Sequence, residues 1–358
     1  MTTPASPASP AAPVALVAGA SGIVGTGIAL RLAADGWRVL CASRSGTALA
    51  GTEGLAVDLM NPEDCRRAIS PHTGITHVFY AAYQQAASRA AEIAPNVAML
   101  RNCVEAACAA APGLKKVVLV TGAKFYGIQW GEAKTPCRES DPRQLPPNFY
   151  YDQEDYLREA AEGKPWTWVN LIPPFVSGFA VGNPMNLVLG VGIYASVCKE
   201  LGVPLRFPGS KDCFEALHQI ADARQIGAAA AWAATAPTAA NQAFNVTNGD
   251  PARWRNTWPV VALALGMSAA EPKMVPLADM MPEQQGLWDR MAKRRGLREI
   301  SLAKIVNWSW VDYMLRMSHD VVLETGKIRR AGFHDCIPTD EVFVQRLREL
   351  QARSVIPQ

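Results

Sequence analysis

Short apolar runs alternate with amphipathic segments along the first half of the chain. Val14–Ala18 is an apolar run ending at Gly19, and residues 28–34 read as a helix with Ile28 and Leu32 on one face. Residues 38–42, 55–57, 77–81 and Lys116–Val120 read as further strands. Between them, Pro62–Ile69 reads as a helix with Cys65 and Ala68 turned inward, and residues 91–109 as a long helix. This alternation predicts a parallel, doubly wound α/β sheet of the Rossmann type. The later half is less regular. Residues 166–171 and 243–246 read as strands and 221–233 as an Ala-rich helix, with a turn at Asn248-Gly249-Asp250. Trp, Met and Pro residues gather between Trp254 and Trp310, which predicts a smaller, mostly helical lobe over the C-terminal edge of the sheet. Open α/β sheets bind their ligands at that edge.

Composition narrows the classes. The chain has 358 residues, 49% hydrophobic and 19% charged, with a net charge of +3. That is ordinary globular composition with no Lys/Arg run to track a phosphate backbone, so nucleic-acid binding is not expected. The eight cysteines form no C-x-x-C pair, which argues for free thiols in a reducing compartment, the cytoplasm. Residues 1–13 carry no basic residue and no apolar core of a signal peptide, and are expected to be a tail. Residues 165–198 carry no charge, but Pro173, Pro174, Gly178, Gly182, Pro184 and Gly190 interrupt them. A membrane span would not be so broken. The stretch is expected to supply buried loops and a helix that wall an apolar pocket.

The segment Gly19-Ala20-Ser21-Gly22-Ile23-Val24-Gly25 is G-x-x-G-x-x-G between a predicted strand and a predicted helix. Gly19 permits a tight turn, Gly22 lets backbone amides approach a pyrophosphate, and Gly25 lets the helix pack against the strand. Gly19, Ser21, Gly22, Ile23 and Gly25 are therefore expected to hold a dinucleotide. The second strand runs into Ser43-Arg44-Ser45 without the Asp or Glu that would take the ribose hydroxyls of NAD. Arg44, helped by Ser45, suits a 2′-phosphate, so NADPH is the expected cofactor. Asp58, followed by Leu59, is placed to accept from the adenine amine. The domain division follows: residues 14–170 bind NADP, with about 215–250 returning to that domain. Residues 171–214 and 251–358 form the substrate lobe.

No tyrosine has a lysine four residues on, so the Tyr-x-x-x-Lys helix common in reductases of this fold is missing. Lys124, just past the fifth strand in Thr121-Gly122-Ala123-Lys124-Phe125-Tyr126, and Tyr150, at the start of a helix in Asn148-Phe149-Tyr150-Tyr151, are available instead. A nearby ammonium is expected to lower the phenol's pKa, and the phenol can stabilise the oxyanion formed when hydride arrives.

These segments resemble the progesterone 5β-reductase/iridoid synthase-like family, an atypical branch of the short-chain dehydrogenases/reductases. Its T-G-x-K-x-Y segment is matched by Thr121, Gly122, Lys124 and Tyr126, and its N-F-Y-Y-x-x-E-D segment by residues 148–155. Glu139-Ser140-Asp141-Pro142-Arg143, Met185-Asn186-Leu187 and residues 245–250 also fit. The resemblance implies a catalytic pair at Lys124 and Tyr150. It also implies NADPH-dependent reduction of the C=C bond of α,β-unsaturated carbonyls, with hydride going to the β-carbon. It places Val120, Val176, Asn183 and Met185 on the nicotinamide side and Ala82 and Tyr83 on the pyrophosphate side. Tyr126, Trp130, Tyr151 and Phe179 are expected to wall the substrate pocket. Leu171-Ile172-Pro173-Pro174-Phe175-Val176-Ser177-Gly178-Phe179 departs from the family's H-R-P-x-x-I-x-G-F, and Ile128-Gln129-Trp130 from its G-P-F.

The expected partner is a small apolar enone, with a homodimer as the assembly to consider and neither membrane nor nucleic acid. Two other functions compete. A carbonyl reductase or alcohol dehydrogenase could use the same oxyanion donor. A non-catalytic NADP(H) sensor would be expected to lose the Lys and Tyr that this chain keeps. A sugar-nucleotide epimerase fits least, because Tyr-x-x-x-Lys is missing.

Overall fold

The computed structural model describes residues 12–179 and 184–358. Residues 1–11 of the expected tail, and Asn183, lie outside the described residues. The central sheet has seven parallel strands. They are β1 Val14–Ala18, β2 Arg38–Ser43, β3 Glu53–Ala56, β4 His77–Tyr80, β5 Lys116–Val120, β6 Thr167–Ile172 and a last strand, Gln242–Asn245. Their order is β3-β2-β1-β4-β5-β6-(Gln242–Asn245), the parallel, doubly wound arrangement of the class that the alternating pattern predicts. β1 is buried on both faces, which is why it reads as an unbroken apolar run.

Side chains alternate between the faces. Ala15, Val17, Phe79 and Val118 meet helix α1, Ile23–Ala34, and the helix Ala223–Thr235. Leu16, Val78, Val117 and Leu119 meet α2, Pro62–Ile69, and α3, Arg89–Ala110; Leu157 of α4, Phe149–Ala161, joins them. The helix after β1 starts at Ile23 and not at Ile28. Gly19 and Gly22 remain in the turn before the helix, whereas Gly25 is helical, where α1 needs a small residue to pass close to that turn. A Cβ on Gly25 would lie 2.2 Å from the Gly19 carbonyl oxygen.

The strand order reverses between β1 and β4, the switch point where such sheets open a crevice. Gly19 turns there at φ +80°, and a Cβ on it would lie 2.7 Å from the Ala82 backbone nitrogen. Only glycine satisfies both conditions.

A second apolar core gathers the remaining chain. Helix α5, Leu187–Glu200, is buried from Leu187 to Cys198 and packs with Trp258, Trp288, Val311, Leu347 and Ile356. The uncharged stretch is thereby explained and its expected role corrected. Its helix is the centre of the lobe's core. Among its described residues, only Pro174, Phe175, Val176 and Met185 reach the large cavity at the switch point. Among the described residues no helix is long and apolar enough to cross a membrane.

Candidate active site

The cradle for a dinucleotide is made of backbone. α2, α3, α4 and α5 each have a side-chain cap, from Asn61, Ser88, Asn148 and Asn186. α1 has none: Gly22 stands at its N-cap, and no acid lies in its first turn. Its leading amides are left for an anion, and the helix dipole favours one. Gly22, Ile23 and Val24 line a cavity of about 450 Å³ together with Ala82, Tyr83, Val120, Val176 and Met185. Ser21 is exposed in the turn. These residues fit a nicotinamide dinucleotide.

Arg44 and Ser45 lie exposed just past β2. No described residue pairs with the Arg44 guanidinium, while Ser45 Oγ lies 2.8 Å from Thr47 Oγ1. Asp58 is exposed and its Oδ1 accepts from the Met60 amide at 3.0 Å, which leaves its other oxygen available. Leu59 is buried and its carbonyl accepts from Asn102 Nδ2 at 2.8 Å.

Lys124 and Tyr150 line the same cavity. One side chain ties their segments together. Asn148 Nδ2 donates to the Lys124 carbonyl at 2.8 Å, and its Oδ1 accepts from the Tyr150 amide at 3.2 Å. The Tyr150 ring lies over Gly122, where a Cβ would sit 3.2 Å from the phenol oxygen. Gly122 is extended, so it serves here by leaving room.

The electrostatics correct one expectation. Burial, reinforced by the Glu92 carboxylate, pushes the Tyr150 phenol up and not down. It remains a neutral hydrogen-bond donor across the physiological range. Lys124 is pushed down by burial and by Arg89, with Glu92 opposing. Glu92 is itself held by the Tyr83 hydroxyl, which donates to it. Tyr83 stacks on Phe149 at 5.6 Å, and Phe149 abuts Tyr150 at 4.4 Å.

The four aromatics expected to wall the pocket do not line it. Tyr126 is buried and donates to Asn245 Oδ1 at 2.6 Å, tying the loop after β5 to the last strand of the sheet. Tyr151 donates to the Phe125 carbonyl at 2.6 Å. It follows Tyr150 on α4, and one residue turns a helix by about 100°. Trp130 is exposed under the Arg89 guanidinium, 5.3 Å from its ring. Phe179 packs on the lobe, with Arg353 over its ring at 4.1 Å.

The wall is built instead by Ile128, Phe175, Trp310, Tyr313, Met314 and Met317, with Arg89 and Gln129 as its polar members. Trp310, Tyr313, Met314 and Met317 fall at i, i+3, i+4 and i+7, the spacing of one helix face, and that was the available signal.

Fold and site define an oxidoreductase of the short-chain dehydrogenase/reductase type that works with a nicotinamide cofactor. Residues 57–357 match the PRISE-like Rossmann-fold domain, and the chain belongs to that family. Among its relatives, (S)-8-oxocitronellyl enol synthase from Nepeta cataria is 32% identical over 85% of this chain and 80% of its own length. The 3-oxo-Delta(4,5)-steroid 5-beta-reductase of Arabidopsis thaliana is 32% identical over 84% of this chain and 79% of its own. The solved UDP-glucose 4-epimerase of Thermotoga maritima superposes with a TM-score of 0.67 over 95% of this chain and 99% of its own, at 15% identity. At that identity it shows the fold alone.

Proposed function

We propose that the protein reduces the carbon–carbon double bond of α,β-unsaturated carbonyl compounds with NADPH. The observation that carries this is the single cavity that holds Lys124, Tyr150 and the uncapped start of α1, closed by apolar side chains. The name of the Arabidopsis relative specifies such an enone, a 3-oxo-Δ4,5 steroid. Bound NADPH would supply a hydride to the β-carbon. Tyr150, kept protonated by its surroundings, donates to the carbonyl oxygen and strengthens that bond as the oxygen becomes an enolate. Lys124 adds positive charge on the same side. Met314, Met317 and Trp310 exclude water, which increases the effect of both groups. The α-carbon then takes a proton from solvent, and the saturated carbonyl leaves.

The unpaired Arg44, with no acid at the end of β2, supports a 2′-phosphate and hence NADPH over NADH. The test is a panel of enones with apolar substituents, following NADPH oxidation and identifying products. Saturated ketones are expected. Allylic alcohols would overturn the reading in favour of carbonyl reduction.

A further inference from the structure

A second, much smaller cavity adjoins the catalytic one. Its volume is about 20 Å³, and Phe175, Met314 and Met317 belong to the walls of both. None of Lys124, Tyr150 or α1 borders it. Its polar lining is two histidines, His218 and His319. His319 is engaged through one nitrogen, its Nε2 lying 3.0 Å from the Ile128 carbonyl oxygen.

His218 is different. It sits on the short strand Leu217–His218, is 6% exposed, and stacks on Trp254 with ring centroids 5.0 Å apart. Among the described residues, neither Nδ1 nor Nε2 makes a hydrogen bond of good geometry, the backbone of Ala216 offering at most a weak one. Burial pushes the ring down to about 4, against the opposing influence of the Ala216 carbonyl and Asp250. At neutral pH it presents one N–H donor and one lone pair. Buried polar groups are seldom left unpaired, and one that borders a cavity has room to find its partner there. About 10–15 Å³ suffices for one water, so the space admits a single oxygen.

We propose that this chamber is the far end of the substrate site. In it, His218 recognises a hydroxyl or carbonyl oxygen carried by the substrate remote from its reacting double bond. The way in lies past Met314 and Met317, unbranched side chains whose rotatable bonds let them move aside. The inference rests on the enone reading for what lies at the other end of the molecule. The apolar cavity thus selects a hydrocarbon skeleton with one distal oxygen, where apolar burial alone would select bulk.

The experiment uses a series of enones whose alkyl chain grows one carbon at a time, each made with a terminal methyl and with a terminal hydroxyl. Their saturated ketones are made in the same pairs. Binding of the saturated pairs to the cofactor-loaded protein is measured by calorimetry, and kcat/KM is measured for the unsaturated pairs. In the wild-type protein one chain length should favour hydroxyl over methyl by about 10-fold, the worth of one good hydrogen bond in a buried site. In His218→Leu that ratio should fall to about one, and His218→Asn, which keeps a donor and an acceptor, should restore part of it. Should the Leu variant not fold, His218→Asn decides: it should keep a hydroxyl preference that is smaller than the wild-type one, and an undiminished preference overturns the proposal.

A ratio of one at every length in the wild-type protein, or a preference that survives His218→Leu, overturns the proposal and leaves only a trapped water in the chamber. Turnover of enones without a hydroxyl preference defeats the chamber but not the reductase. A binding preference with no turnover of any enone defeats the reductase but not the chamber.

Discussion

Around the cavity, Gly22, Ile23, Ala82, Val120 and Gly122 come from the start of α1, the end of β5 and the loops after β1, β4 and β5, whereas Trp310, Tyr313, Met314 and Met317 come from the helix Trp308–Met314 and the turn after it. The first group is placed by backbone. Its positions follow from strand order, a positive φ at Gly19 and the space that missing side chains leave. The second group is placed by the packing of a lobe on a sheet, and it contributes volume and polarisable surface. A wall of the first kind admits few residues at each position. A wall of the second kind tolerates exchange among apolar residues of similar size. Cofactor chemistry is therefore fixed in this architecture, while substrate choice is free to vary.

The sharpest way to break the comparison is to alter the group that serves both sides. Tyr150→Phe should cost on the order of 10²–10³ in kcat while leaving NADPH affinity nearly intact. Its control is Tyr126→Phe, which strands Asn245 Oδ1 in the interior. That change should lower stability by about 1–3 kcal/mol in urea unfolding and leave turnover of the folded protein alone. Were Tyr126→Phe to abolish turnover and Tyr150→Phe to spare it, the assignment of the two tyrosines would be reversed. Arg44→Ala should weaken NADPH binding by about 10- to 100-fold without changing NADH binding or the ranking of enones. Nicotinamide fluorescence titration measures the first two and competition between enones the third.

A smaller effect separates Lys124 from Tyr150. The ammonium is shifted down from its ordinary 10.5 and the phenol up from its ordinary 10.0. On the alkaline side the lysine loses its proton first, so the fall of kcat at high pH should report Lys124. Lys124→Arg should move that limb to higher pH, because guanidinium keeps its proton. An unmoved limb would assign it to the phenol.

What could be read from the sequence follows the same division. Gly19, Gly22 and Gly25 declare a turn, a helix start and a close approach, because each is a demand on the backbone that few residues meet. The parallel, doubly wound class follows from apolar runs spaced by helices. Lys124 and Tyr150 were legible only through the motifs around them, since neither lies in a local pattern that predicts their meeting in one cavity. The direction of a side chain is another matter. Tyr150 lines the cavity, while its neighbour Tyr151 points at the Phe125 carbonyl. Nothing in the string Phe149-Tyr150-Tyr151 says which aromatic goes where until the helix is docked. Met314 and Met317 reach the cavity from far down the chain, through a lobe whose packing leaves only a faint helical period in the sequence. The uncharged stretch misled for a related reason: absence of charge reports burial, and burial in the lobe's core looks the same as burial in a pocket wall.

The bare N-terminus of α1 has a consequence beyond recognition. With glycine at its N-cap, this helix start forgoes only a few tenths of a kcal/mol relative to its four side-chain-capped neighbours, and leaves its leading amides open. A ligand whose phosphates complete that helix start stabilises the fold as well as reacting in it, by an amount that grows with the logarithm of its concentration. The stability of the folded chain is thereby expected to rise with the supply of the dinucleotide, oxidised or reduced alike, since both forms carry the same phosphates.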